Sequence, residues 1–211
     1  MTRTRPRLYL LTPQLDETAA FAAAMDAALA AGDVAAVLLR LHQADERSLI
    51  KRAKMLAAAV QRRDIALLLD NRPELVARAG ADGAHLTGIE ALRSALPMLK
   101  PDRIAGAGGL RSRHDAMLAG ETAADYMMFG EPDLGGAEGR PPFSLVQERV
   151  AWWAELFQPP CVGYAANLDE IRPLAEAGAD FVALGEWIWQ DSGGAAKAVA
   201  AASENLAAAV A

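Results

Sequence analysis

The chain has 211 residues, 53% of them apolar and 23% charged, with a formal net charge of −6 and one cysteine. A chain of this size buries enough apolar surface to fold as one ordinary domain without disulfides or a structural metal, and the lone Cys161 has no partner for either. An acidic balance with no block of Lys and Arg argues against nucleic acid or an anionic membrane as the main partner.

The N-terminus reads Met1-Thr-Arg-Thr-Arg-Pro-Arg7 and continues into an apolar run too short for a signal peptide. Asp26, Asp33 and Glu204 break the alanine-rich segments, so no stretch approaches the roughly 18 uncharged apolar residues of a spanning helix. A cytoplasmic protein is the expectation. In chain order the candidate strands are Leu8-Leu11, Ala35-Arg40, Ile65-Asp70, Gly83-Leu86, Arg103-Ala107, Asp125-Phe129, Cys161-Tyr164 and Asp180-Leu184, with helix-like segments between them. Alternation of this kind builds a parallel sheet, and eight units are what a closed barrel needs. The sequence therefore predicts an α/β fold, a TIM (β/α)8 barrel forming a single domain over residues 1–211. A doubly wound open sheet is the alternative, but the first βα turn lacks a glycine-rich phosphate fingerprint.

One phrase recurs. Ala79-Gly-Ala-Asp-Gly-Ala-His-Leu86 resembles Ala177-Gly-Ala-Asp-Phe-Val-Ala-Leu184, with Thr122-Ala-Ala-Asp-Tyr-Met-Met-Phe129 as a looser copy. Gly80 and Gly178 can take the left-handed conformation that closes a helix, and the Asp marks the turn into a buried strand. These are the loops at the closed end of the barrel, so function belongs at the opposite strand ends. The stretch from Gly130 to Pro142 is too rich in Gly and Pro for helix or strand, and stands as a flexible loop or lid after the sixth strand.

The residues just past each strand are the candidates for chemistry. Arg40 ends an apolar strand, so its guanidinium needs a carboxylate, with Asp70 the obvious partner, or an anionic ligand. His42 can exchange a proton near neutral pH. Asp70 with Glu90 offers two carboxylates to a cation such as Mg2+. His85 reads as a core histidine and His114 as a solvent-facing one. Asn167 followed by Glu170 reads as a capping box, whose helix start lies where barrels often hold phosphate. The four tryptophans read as cover for hydrophobic surface or a homodimer interface.

The order of segments from Leu8 to Trp189 resembles the thiamine phosphate synthase and TenI family of barrels. The likeness rests on Leu8-Tyr-Leu-Leu-Thr12, Val37-Leu-Leu-Arg40, Leu67-Leu-Leu-Asp-Asn-Arg72, the phrase ending in His85-Leu86, Ala123-Ala-Asp-Tyr-Met-Met-Phe-Gly130 and Glu176 to Leu184. It implies a cytoplasmic protein of thiamine biosynthesis whose ligand is a phosphorylated thiazole or pyrimidine. Family synthases join an aminopyrimidine diphosphate to a thiazole phosphate and expel pyrophosphate with magnesium.

The resemblance implies roles position by position. Arg40 keeps the arginine of the family's Gln-Leu-Arg-x-Lys, and His42 stands where the lysine serves the diphosphate. Asp70-Asn71-Arg72 stands for Asn-Asp-Arg, with the metal-binding acid displaced by one residue and so turned to the other face. Glu90 is the counterpart of the second metal acid. Gly108 and Gly109 replace a serine segment beside the pyrophosphate. Ala165 and Ala166, with Gly185 and Glu186, stand at the two phosphate-binding turns. Two functions follow: a synthase-type transferase with His42 and Asp70 as catalytic groups, or a repurposed barrel that binds a small ligand without coupling.

Overall fold

A computed structural model describes residues 5–132 and 139–209. Eight parallel strands, β1 Arg7–Leu15, β2 Val34–Leu41, β3 Ala66–Asp70, β4 Gly83–Thr87, β5 Ile104–Gly108, β6 Tyr126–Phe129, β7 Cys161–Ala165 and β8 Phe181–Leu184, close into a barrel in chain order. The helices outside it are α1 Thr18–Ala30, α2 Glu46–Gln61, α3 Val76–Ala79, α4 Ile89–Leu99, α5 Arg113–Gly120, α6 Phe143–Leu156, α7 Ile171–Ala177 and α8 Ala195–Ala208. Among the described residues no helix is long and apolar enough to cross a membrane. Six of the thirteen residues expected to form a loop or lid, 133–138, lie outside the described residues.

The strand β1 runs four residues further than its apolar run suggests. It pairs again with β2 at Gln14 and Leu15 after an irregularity that accommodates Pro13, which has no N–H to donate. At that irregularity the Thr12 hydroxyl accepts the Arg40 N–H at 2.9 Å, so a side chain supplies the bond the ladder lacks.

The repeated Gly-Ala-Asp phrase has a mechanical reason. Gly80 and Gly178 sit at φ 71° and 103° and end α3 and α7. The Asp of each of the three phrases accepts an N–H at the start of the preceding strand: Asp82 takes Leu67 N at 2.8 Å, Asp125 takes Ala105 N at 2.7 Å and Asp180 takes Cys161 N at 2.8 Å. Asp82 also accepts from Gln61 at 2.9 Å. Asp82→Ala leaves the half-buried Leu67 N–H without its acceptor, and urea unfolding should read a loss of about 1–3 kcal/mol.

Two apolar layers result. One lies between strands and helices and contains Trp153, which is fully buried against Phe129 and Phe157. The other fills the barrel with Tyr9, Leu11, Leu38, Leu68, Tyr126, Met128, Val162 and Tyr164. Gly106 makes room in this inner layer, because a Cβ there would stand 1.9 Å from the Tyr126 ring. Gly106→Ala should therefore lower stability by about 1–3 kcal/mol, as overpacked cores do. Of the four tryptophans Trp153 is buried, while Trp152, Trp187 and Trp189 are half-buried and pack against the outer layer. Trp187 and Trp189 donate their indole N–H groups to Ala165 O at 3.0 Å and Leu11 O at 2.7 Å.

Candidate functional site

At the carboxyl ends of the strands the barrel opens into a cavity of about 950 Å³. Leu11, Leu38 and Met128 line it from below, and Arg40, His42, Asp70, Asn71, Arg72, Glu131, Arg140 and Arg149 are among its polar walls. Strand alternation explains the first of these: Arg40 follows Leu38, and Asp70 follows Leu68, on the inner face of the barrel.

Arg40 is 5% exposed, yet its partners are distant. Its Nε lies 3.6 Å from Asp70 Oδ2 and its Nη1 3.4 Å from Glu186 Oε1, and the buried Nε has no hydrogen-bond partner. A guanidinium held loosely between two carboxylates at the edge of a cavity has donors left for an anionic ligand. Burial pushes the Asp70 carboxyl up, against the opposing pull of Arg40, Asn71 and Arg72. Asn71 adopts φ 51°, which turns it out of β3 so that its amide bonds Asp70 Oδ1 at 2.9 Å and both the N–H and hydroxyl of Thr87. His42 lies on the rim, half-exposed, with Nε2 3.9 Å from Asp16.

Deeper down, a line of uncharged polar groups crosses the barrel. The Tyr9 and Tyr126 hydroxyls are 2.9 Å apart, and Tyr126 Oη lies 2.9 Å from His85 Nδ1. His85 is 3% exposed, and burial lowers its pKa to about 4, so the imidazole is neutral. Beside it Glu131 accepts the Gly109 N–H, and burial pushes its pKa up to about 7 despite this bond. The sequence reading missed Glu131. Its signal was the pair Gly106 and Gly108, two inward positions of one strand with no side chain, which call for bulky neighbours. A Cβ on Gly108 would stand 2.0 Å from Glu131 Oε1 and 2.5 Å from His85 Nε2.

At the ends of β7 and β8 the chain satisfies itself. Arg140 grips Glu170 with two bonds of 2.9 and 2.7 Å and donates to Gly130 O and Tyr164 O, each at 2.9 Å. Glu170 in turn accepts the Ala166 N–H at 2.8 Å. Its carboxylate therefore serves Arg140 and Ala166 rather than closing a capping box on Asn167, which caps only through Asp169 N at 3.0 Å.

A family model described as thiamine monophosphate synthase matches residues 8–188 of this chain. The thiamine-phosphate synthase of Rhodospirillum centenum is 41% identical over 92% of this chain and 94% of that protein. That of Hyphomonas neptunium is 37% identical over 94% and 93%. The chain belongs to the thiamine monophosphate synthase family. Its fold matches the solved thiamine phosphate pyrophosphorylase of Pyrococcus furiosus with a TM-score of 0.77, at 20% identity over 97% of each chain.

Several positions that the family resemblance singles out are not brought to the cavity. Glu90 lies on α4 with its side chain 84% exposed and pairs with Arg93 at 3.5 Å. It does not line the cavity that holds Asp70, because the first turn of α4 carries it to the outside. Among the described residues no group of three or more His, Cys, Asp and Glu side chains could hold a metal ion. Asp70 and Glu90 therefore do not share the cavity. Asp70 itself faces the barrel interior and lines the cavity. Gly109 borders the cavity, while Gly108, Ala165, Ala166, Gly185 and Glu186 do not line it. Ala166 gives its N–H to Glu170, Ala165 O is taken by Trp187, and Gly185 is packed under the Tyr164 hydroxyl, 1.9 Å from where its Cβ would be.

Proposed function

We propose that the chain is a synthase-type transferase of thiamine phosphate formation, and that its cavity binds a phosphorylated pyrimidine or thiazole with Arg40 as the central anion contact. The observation that carries this reading is the buried Arg40 guanidinium, with one nitrogen unpartnered and two carboxylates no nearer than 3.4 Å. Arg72 and His42 stand on the same rim and add positive or protonatable groups around the phosphates. Loss of a diphosphate builds charge on the departing oxygens, and a buried guanidinium with free donors stabilises that charge. The curated relatives named thiamine-phosphate synthase support the reaction class.

A second reading is favoured by one observation. The Glu170 carboxylate occupies the donor of the β7 turn, where a ligand phosphate would otherwise bind. A barrel altered in this way can hold one phosphorylated ligand without joining two. The discriminating experiment is turnover of aminopyrimidine diphosphate with thiazole phosphate, run beside calorimetric binding of each alone. Coupling supports the transferase; binding of one compound with no product supports the second reading.

A further inference from the structure

The irregularity in β1 inverts the facing of the strand beyond it. Below it Tyr9 and Leu11 belong to the layer that fills the barrel, while Leu8 and Leu10 pack against the helices. Unbroken alternation would send Pro13 and Leu15 inward and Gln14 outward. The reverse is found: Leu15 packs in the outer layer and Gln14 lines the cavity. The pairing with β2 gives the cause. Leu11 stands opposite Leu38, so a regular ladder would set Pro13 opposite Arg40, but one extra residue in β1 brings Gln14 there instead. Side chains hold this bulge from two directions: the Thr12 hydroxyl accepts the Arg40 N–H at 2.9 Å, and the Trp189 indole donates to Leu11 O at 2.7 Å. An amide therefore stands beside Arg40 where regular pairing would place a proline.

The Gln14 side chain is exposed and makes no hydrogen bond among the described residues. The two groups paired with the Arg40 guanidinium, Asp70 and Glu186, are carboxylates that oppose an incoming anion. Gln14 adds N–H donors to the same wall without adding charge.

We infer that Gln14 is a specificity-determining residue, aimed by the bulge to contact the second phosphoryl group of a diphosphate whose first is held by Arg40. Adjacent strands lie about 4.7–4.9 Å apart, so the paired residues offer their donors side by side, one set charged and one neutral. A diphosphate spans both sets, whereas the fork of a guanidinium satisfies a single phosphate alone. The inference rests on Arg40 being the anion contact proposed above, and adds which anion the mouth prefers.

The probes are inorganic pyrophosphate and inorganic phosphate, titrated calorimetrically into wild type, Gln14→Leu, Gln14→Glu and Arg40→Ala. Wild type should bind pyrophosphate at least about tenfold more tightly than phosphate. Gln14→Leu should lose about tenfold for pyrophosphate and less than about twofold for phosphate, because only the larger anion reaches the amide. Gln14→Glu should lose about 100-fold for pyrophosphate, since it sets a like charge against the anion. That order separates a ligand contact from a structural role, under which the polar isostere would be the milder change. Urea unfolding of Gln14→Leu should match that of wild type, as the side chain it replaces is exposed.

Unchanged pyrophosphate binding in Gln14→Leu, or an equal loss of both anions, would overturn the inference and leave the Arg40 reading standing. Binding that survives Arg40→Ala, or no binding of either anion by wild type, would overturn that reading and the inference together.

Discussion

Arg40→Ala should reduce affinity for the phosphorylated ligand by at least about 100-fold and leave the protein folded. Truncating a desolvated charged partner costs about 2–5 kcal/mol, and each 1.4 kcal/mol is tenfold in affinity. The fold should survive because the two carboxylates released, Asp70 and Glu186, have side chains 20% and 46% exposed and can turn to water. Arg40→Lys keeps the charge but loses the planar fork, and should recover only part of the binding. Glu186→Gln should act in the opposite direction, since it removes a competing acceptor and a like charge from the ligand's anion; tightening of a few-fold is expected. Calorimetry on the three variants checks the set, and a variant order in which Glu186→Gln weakens binding would show that Arg40 is a structural pair and no more.

The largest effect on stability should come from Arg140→Ala. Arg140 and Glu170 have side chains 18% and 11% exposed, and their double bond ties the segment after β6 to the turn after β7. Removing the guanidinium leaves a nearly buried carboxylate that still accepts the Ala166 N–H, and breaking such a pair costs about 3–5 kcal/mol. Partial exposure lowers the expected loss to about 2–4 kcal/mol. The double variant Arg140→Ala with Glu170→Ala should be less destabilised than the sum of the singles, because neither then strands the other. Chemical denaturation of the four proteins gives this coupling; additive losses would mean that the pair is solvated and contributes through packing alone.

The fold was legible in the sequence for a physical reason. Strands that are buried on both faces must read as apolar runs, and the eight runs fell at the spacing of βα units. The Gly-Ala-Asp repeat was legible as a stop and a turn, but the bond from each Asp to the strand before it was not, because that contact is set by closure of the barrel. Arg40 and Asp70 were legible as inward groups through alternation beyond Leu38 and Leu68. Glu131, Arg140 and Glu170 were not. They meet their partners across loops, and no local pattern announces that Glu170 reaches Arg140, 30 positions away, rather than the N–H of Asn167. The placement of Glu90 was not legible either: it lies in the first turn of α4, where its exposed side chain pairs with Arg93 instead of lining the cavity.

If the chain is the proposed transferase, this mouth binds phosphorylated thiamine precursors through Arg40 and couples them. The direct measurement is thiamine phosphate formation from aminopyrimidine diphosphate and thiazole phosphate by the purified protein, with and without magnesium, beside Arg40→Ala. Product from the wild type, lost in the folded variant, is the expected result. A folded wild-type protein that neither forms product nor binds either compound would contradict the proposed function.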